Sequence, residues 1–194
     1  MRKIILNIFA LGVLGFAVIY KMNYEGVEQV YSAKGMGIEG GDFTLKSEKG
    51  EVSLSDFKGK TVILYFGFTT CPDVCPMSLS YLNSALKGVD RENIQVVFIS
   101  VDHKRDDPKS VDMYAKYFDE SYVGVTGTED EIDKVTKQYK VFYKFIPLEN
   151  SKIGYTVDHT SRFYIIDKDG VVQKAVRSDE DPKVFKAELK SVLN

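Results

Sequence analysis

The stretch "TVILYFGFTTCPDVCPMSLSYL", residues 61–82, runs from an unbroken apolar segment through a loop with two cysteines into a helical pattern. Its first part, TVILYFGF (61–68), is short, continuous and β-rich, which predicts a strand buried on both faces, as in a parallel sheet. From about Pro76 onward, Met77, Tyr81, Leu82 and Leu86 fall at helical spacing, with Gly88 near the end. A buried strand, a tight loop and a helix in that order are half of an α/β unit.

The flanking sequence repeats the alternation. Upstream, "DFTLKSEKGEVSLSDF" (42–57) reads as two strands turning at Gly50. Downstream, "IQVVFISVD" (94–102) is a second buried strand. "DPKSVDMYAKYF" (107–118) opens a helix with Pro108 and sets Val111, Tyr114, Ala115 and Phe118 on one face. A third short strand, "YVGVTG", precedes a helix in which Thr128 and Glu131 form a capping box. "SRFYIID" and "VVQKAV" form a hairpin about "KDG", and "DPKVFKAELKSVL" closes the chain as an amphipathic helix. The pattern predicts an α/β domain with a mixed central sheet flanked by helices.

The chain has 194 residues, 44% of them hydrophobic and 12% aromatic, enough to bury a core without a disulfide. Cys71 and Cys75 are its only cysteines, so they read as chemistry rather than as a scaffold. After Met1-Arg2-Lys3, an uncharged run from Ile4 to Tyr20 ends at Lys21. Its length and basic N-terminal flank predict a membrane anchor or uncleaved signal over 1–21, with the remainder on the periplasmic, extracytoplasmic side. Residues 22–41 carry Gly35, Gly37, Gly40 and Gly41 and read as a flexible tether. One domain then spans 42–194. Without residues 1–21 the chain has 23 Lys and Arg against 28 Asp and Glu, a net charge of −5, which argues against nucleic acid as a partner.

The cysteines lie beyond the carboxyl end of a buried strand, where open α/β sheets place their sites. Pro76 fits a first helical turn, which puts Cys75 near the helix start and Cys71 in the loop. The helix N-terminus favours a thiolate there. A thiolate serves disulfide exchange and soft-metal ligation alike, and the C-x-x-x-C spacing permits both. His103 and His159 are the only histidines. His159 stands at the entry to a predicted strand, and a hydrogen-bonded loop histidine is its bland reading. His103 ends the neighbouring strand at the same rim, where a solvated loop histidine is the default. Met77 is a soft donor that reads as core packing. Asp158 reads as an orienting carboxylate or a solvated one, and Asp73 as a turn former.

In order along the chain, "YFGFTTCPDVCP", "FISVDHKRDDP", "YVGVTGTEDEIDKV" and "YTVDHTSRFYIIDKDG" resemble the Sco (SenC) family of membrane-anchored copper proteins. The resemblance implies a thioredoxin-like fold over 42–194. It implies one copper ion, Cu(I) or Cu(II), held by Cys71, Cys75 and His159. It also implies delivery to the copper-bearing subunit of cytochrome c oxidase or another copper client, with an extracytoplasmic thiol reductant as a second partner. Thr70 and His103 depart from the residues many members carry, His and Pro, and neither position is a family ligand. No proline stands in "DHTSRFY", where thioredoxin-like oxidoreductases carry one. A thiol–disulfide oxidoreductase using Cys71 and Cys75 is the alternative, and a structural disulfide is the plain one.

Overall fold

A computed structural model of the chain describes residues 31–149 and 151–193. The anchor expected at 1–21 lies outside the described residues, and among those described no helix is long and apolar enough to cross a membrane. β1 (Thr44–Ser47) and β2 (Gly50–Ser53) form the expected hairpin, with Gly50 at φ 126°, a conformation that suits glycine.

β3 (Thr61–Gly67) and β4 (Ile94–Ser100) are the buried strands read from the sequence, followed by β5 (Val123–Val125). With β8 (Arg162–Ile166) and β9 (Val172–Arg177) they make a five-stranded sheet in the order β5-β4-β3-β8-β9. β3, β4 and β5 are parallel, whereas β8 and β9 run antiparallel to their neighbours, so the sheet is mixed. Four α-helices accompany it: α1 (Val74–Ala85), α2 (Pro108–Phe118), α3 (Glu129–Gln138) and α4 (Pro182–Leu193).

Strand alternation sorts the aromatic core into two layers. Tyr65, Phe98 and Phe163 stand together on one face and meet Tyr114 of α2 and Phe185 of α4. Phe66 and Tyr164 stand on the other, against Tyr139 at the end of α3. The Thr128–Glu131 capping box forms as the sequence predicts, and Asp107, just before Pro108, caps α2 by accepting from the Lys109 and Ser110 amides.

Three expectations need correction. The tether ends before residue 41, because residues 31–41 pack onto the domain. Tyr31 and Ala33 are buried and exchange backbone hydrogen bonds with Gln173 and Ala175 along β9. Second, α1 starts at Val74 and buries Cys75, Ser78, Leu79, Leu82 and Ala85. Met77 and Tyr81 therefore face outward, with Met77 50% exposed rather than in the core. Third, the sequence between α3 and β8 is an antiparallel hairpin, β6 (Tyr143–Pro147) with β7 (Tyr155–His159), separate from the main sheet. His159 thus ends a strand of its own, opposite Tyr143.

Candidate metal centre

Three separate parts of the chain meet at the end of β3. The Phe68–Asp73 loop supplies Cys71, the first turn of α1 supplies Cys75, and the end of β7 supplies His159. Cys75 is fully buried and Cys71 partly so, and both are free thiols. Gly67 makes room for this arrangement. A Cβ there would come within 2.9 Å of Cys75 Sγ and 2.8 Å of Phe98 Cε2, too close for either neighbour to accept.

The start of α1 is capped through sulfur. The Asp73 side chain makes no cap hydrogen bond, and instead the Cys75 amide donates to Cys71 Sγ at 3.4 Å. The helix therefore offers an otherwise unpaired amide and its positive end to the Cys71 sulfur. Cys71 is pulled down to about 4, first by the hydrogen bond from Cys75, then by His159 and by the Cys75 and Asp73 amides, against the opposing effect of burial. The Cys75 thiol is pushed well up by the same hydrogen bond, by burial and by the Cys71 charge. The two sulfurs titrate as a coupled pair, in which the charge is favoured on Cys71 over the more buried Cys75.

His159 presents its ring nitrogen to this pair. Nε2 is 3.5 Å from Cys75 Sγ, and Nδ1 is 3.1 Å from the Thr160 carbonyl. A carbonyl only accepts, so Nδ1 carries a proton, and Nε2 is the ring nitrogen turned toward the sulfurs. Phe68 and Tyr65 stack edge-on against the ring and fix its plane. Asp158 does not orient it: that residue is exposed and paired across the hairpin with Lys144.

The donors fit a small soft ion. Metal bonds of about 2.0–2.3 Å at angles near 110–120° separate a sulfur and a nitrogen by about 3.6–3.8 Å, close to the spacing of Cys75 and His159. Among the described residues no three His, Cys, Asp or Glu side chains already form a closed cage. The Cys71 sulfur lies at the start of α1, where it interacts with both Cys75 and His159. An open cleft of about 310 Å³ borders Cys71 and His159, with Cys75 buried behind it. His103 is not in the cluster, since its ring packs edge-on against Tyr143 and Phe145 and its buried Nε2 has no hydrogen-bond partner.

Sequence reading missed the residues that brace the site. Asp106 of the β4–α2 loop accepts hydrogen bonds from both the amide and the hydroxyl of Thr69, two residues before Cys71. Arg105 in the same loop bonds Asp102, lies over the Tyr155 ring at 3.8 Å, and donates to the Ile153 and Tyr155 carbonyls. One loop therefore ties down both the cysteine loop and the hairpin that carries His159. The only sequence signal was the charge cluster "DHKRDD", which reads equally well as a solvated turn.

The SCO1/SenC family profile matches residues 32–194. The SCO2-like protein of Rickettsia conorii is 40% identical over 147 residues, covering 74% of this chain and 72% of its own. Among solved structures, copper-bound ScoI of Bradyrhizobium japonicum is 36% identical, with a TM-score of 0.69 over 79% of this chain and 99% of that one. BsSco is 25% identical, with a TM-score of 0.61 over 80% of this chain and 93% of its own. Its structure is described by a disulfide switch, and the protein as a member of the Sco family of cytochrome c oxidase assembly proteins. The span matched by the family profile takes in the sheet, the helices and the three elements that meet at the end of β3.

Proposed function

The chain belongs to the SCO1/SenC family, and from that premise we propose that it is an extracytoplasmic copper metallochaperone. One copper ion is held by Cys71, Cys75 and His159 and passed to the copper-bearing subunit of cytochrome c oxidase or to another copper client. The observation that carries this reading is the 3.5 Å approach of His159 Nε2 to Cys75 Sγ, beside the Cys71 sulfur. Two sulfurs and one imidazole form a soft set suited to Cu(I) in three-coordination. The partly open position of Cys71 lets an acceptor's thiolate replace it stepwise, so the ion need never be free. In this reading residues 1–21 anchor the domain to the membrane, on its periplasmic face, and an extracytoplasmic dithiol keeps the cysteines reduced.

A second reading has its own support. A lowered-pKa thiolate next to a buried thiol is also the resting form of a dithiol reductant. Metal analysis of the reduced protein after copper loading separates the two. The chaperone reading requires one tightly held copper per chain, lost when Cys71 and Cys75 are both changed to serine. Equal uptake by that double variant would overturn it. Failure to retain copper, together with rapid reduction of a test disulfide, would establish the oxidoreductase.

A further inference from the structure

Tyr65 is fully buried in β3 on the face that carries Cys75. Its hydroxyl lies 3.0 Å from Ser161 Oγ, which in turn lies 2.5 Å from Ser178 Oγ. The hydroxyl of the buried Ser78 and the sulfur of Cys75 are further polar neighbours of the phenol, whose pKa is raised by burial and by charge on that sulfur. The Tyr65 ring stands edge-on to His159 with centroids 6.4 Å apart. One phenol thus stands beside the deeper cysteine and against the candidate histidine, and is held by the Ser161 hydroxyl before β8, itself bonded to Ser178 after β9.

A phenol oxygen has one proton and room for two incoming hydrogen bonds. Ser161 and Ser78 can each turn a hydroxyl proton toward it, whereas a metal-bound cysteine sulfur has none to give. A thiolate at Cys75 therefore sets the direction of the chain, from Ser178 to Ser161 to Tyr65 to sulfur. Each hydroxyl in such a chain polarises the next. Resting on the copper reading above, we propose that Tyr65 donates a hydrogen bond to the metal-bound Cys75 sulfur and that this contact biases the ion toward Cu(I). The hydrogen bond draws electron density from the sulfur. That weakens the covalent bond on which Cu(II) depends more than Cu(I) does, and hydrogen bonding around a cysteine sulfur is a known lever on copper potentials. Tyr65 is a positioning residue, because it acts on the ion only through Cys75.

The test uses the full-length chain loaded with copper. Tyr65→Phe keeps the ring and removes the donor, while Ser161→Ala keeps the phenol and removes its strap. The readouts are the sulfur-to-copper absorption band of the Cu(II) form and the Cu(II):Cu(I) ratio at a fixed ambient potential. Tyr65→Phe is expected to move the band to lower energy and raise the ratio about tenfold, 59 mV for one electron. Ser161→Ala should move both the same way by less. A merely structural tyrosine would change stability and leave band and ratio alone. Wild-type values in both variants would overturn the contact while leaving the copper reading intact. If Tyr65→Phe does not fold, a wild-type band and ratio in Ser161→Ala overturn it alone. A wild-type chain with no thiolate-to-copper band would overturn the copper reading and the contact with it.

Discussion

Asp106 and Thr69, 37 residues apart in the chain, are joined by two hydrogen bonds, from the Thr69 amide at 2.9 Å and from its hydroxyl at 2.6 Å. Ser100 gives the same carboxylate a third, at 2.5 Å, and Asp106 is buried. An acceptor-only group suits this place, because every neighbour donates. Asp106→Asn puts an NH₂ where one of those donors points. It is expected to destabilise the protein by about 1–3 kcal/mol and to loosen the loop that aims Cys71. Denaturant unfolding and competitive Cu(I) titration check the two effects. Wild-type copper affinity in a folded Asp106→Asn protein would show that the loop needs no such brace.

The low pKa of Cys71 predicts an unusual pH profile. Hydrogen bonds from the Cys75 thiol and from backbone amides favour the charged sulfur, so the thiolate persists as pH falls, down to about 4. The alkylation rate at Cys71 should therefore be nearly flat between pH 6 and 8. An ordinary thiol of pKa about 8.5 slows nearly tenfold per unit over that range. Cys75→Ala removes the largest stabilising hydrogen bond and should restore the slope. A tenfold rise per unit in the wild type would contradict the thiolate assignment.

The two histidines should separate cleanly. His159→Ala removes a donor 3.5 Å from Cys75 Sγ and should weaken copper binding at least tenfold without unfolding the domain. His103→Ala removes edge-on packing against Tyr143 and Phe145, so stability falls somewhat while copper affinity holds. The reverse pattern in a competition titration would mean that the wrong histidine has been assigned.

Gly67 is where sheet and site are most tightly joined. Gly67→Ala should cost about 1–3 kcal/mol from overpacking, because the new methyl meets Phe98 and Cys75 where neither can retreat. A denaturation midpoint equal to that of wild type would mean that β3 can shift away from α1.

What the sequence made legible was what local chemistry determines. β3 and β4 were evident as continuous apolar runs, α2 from Pro108 at its first turn and α3 from the Thr128–Glu131 capping box. The β6–β7 hairpin was not, because "YKFIP" and "YTVDH" mix polar and aromatic residues and pair only with each other. Met77 was assigned to the wrong face because Cys75, Leu79, Leu82 and Leu86 form a second stripe at helical spacing, and that is the one α1 buries. The glycine-rich 31–41 segment hid its docking, since its three buried residues, Tyr31, Ala33 and Ile38, stand singly among glycines and polar residues. Of the site, the two cysteines were visible by motif. His159 was supported by family resemblance and the Tyr65 and Asp106 contacts by nothing, because they arise from strand register and loop closure over tens of residues.

Copper and a disulfide should exclude one another at this loop. Cys71 and Cys75 are free here, as thiolate beside thiol, and a bridge between them would use both sulfurs. His159 alone would then remain, and one imidazole does not hold copper against a competing chelator. The Cys71 thiolate is the nucleophile that would open or form such a bridge by exchange, and an extracytoplasmic setting favours closure unless a dithiol intervenes. Closing so short a loop restricts the unfolded chain by only about 2 kcal/mol, so the bridge would act as a switch more than as a staple. The chain is therefore oxidised with a small-molecule disulfide and freed of it, then offered copper before and after a dithiol is added. Uptake should be near zero before and one ion per chain after, with the unfolding temperatures of the two metal-free forms only modestly apart. Full uptake by the oxidised chain would rule the switch out. Collapse of stability on reduction would instead make the bridge a structural one.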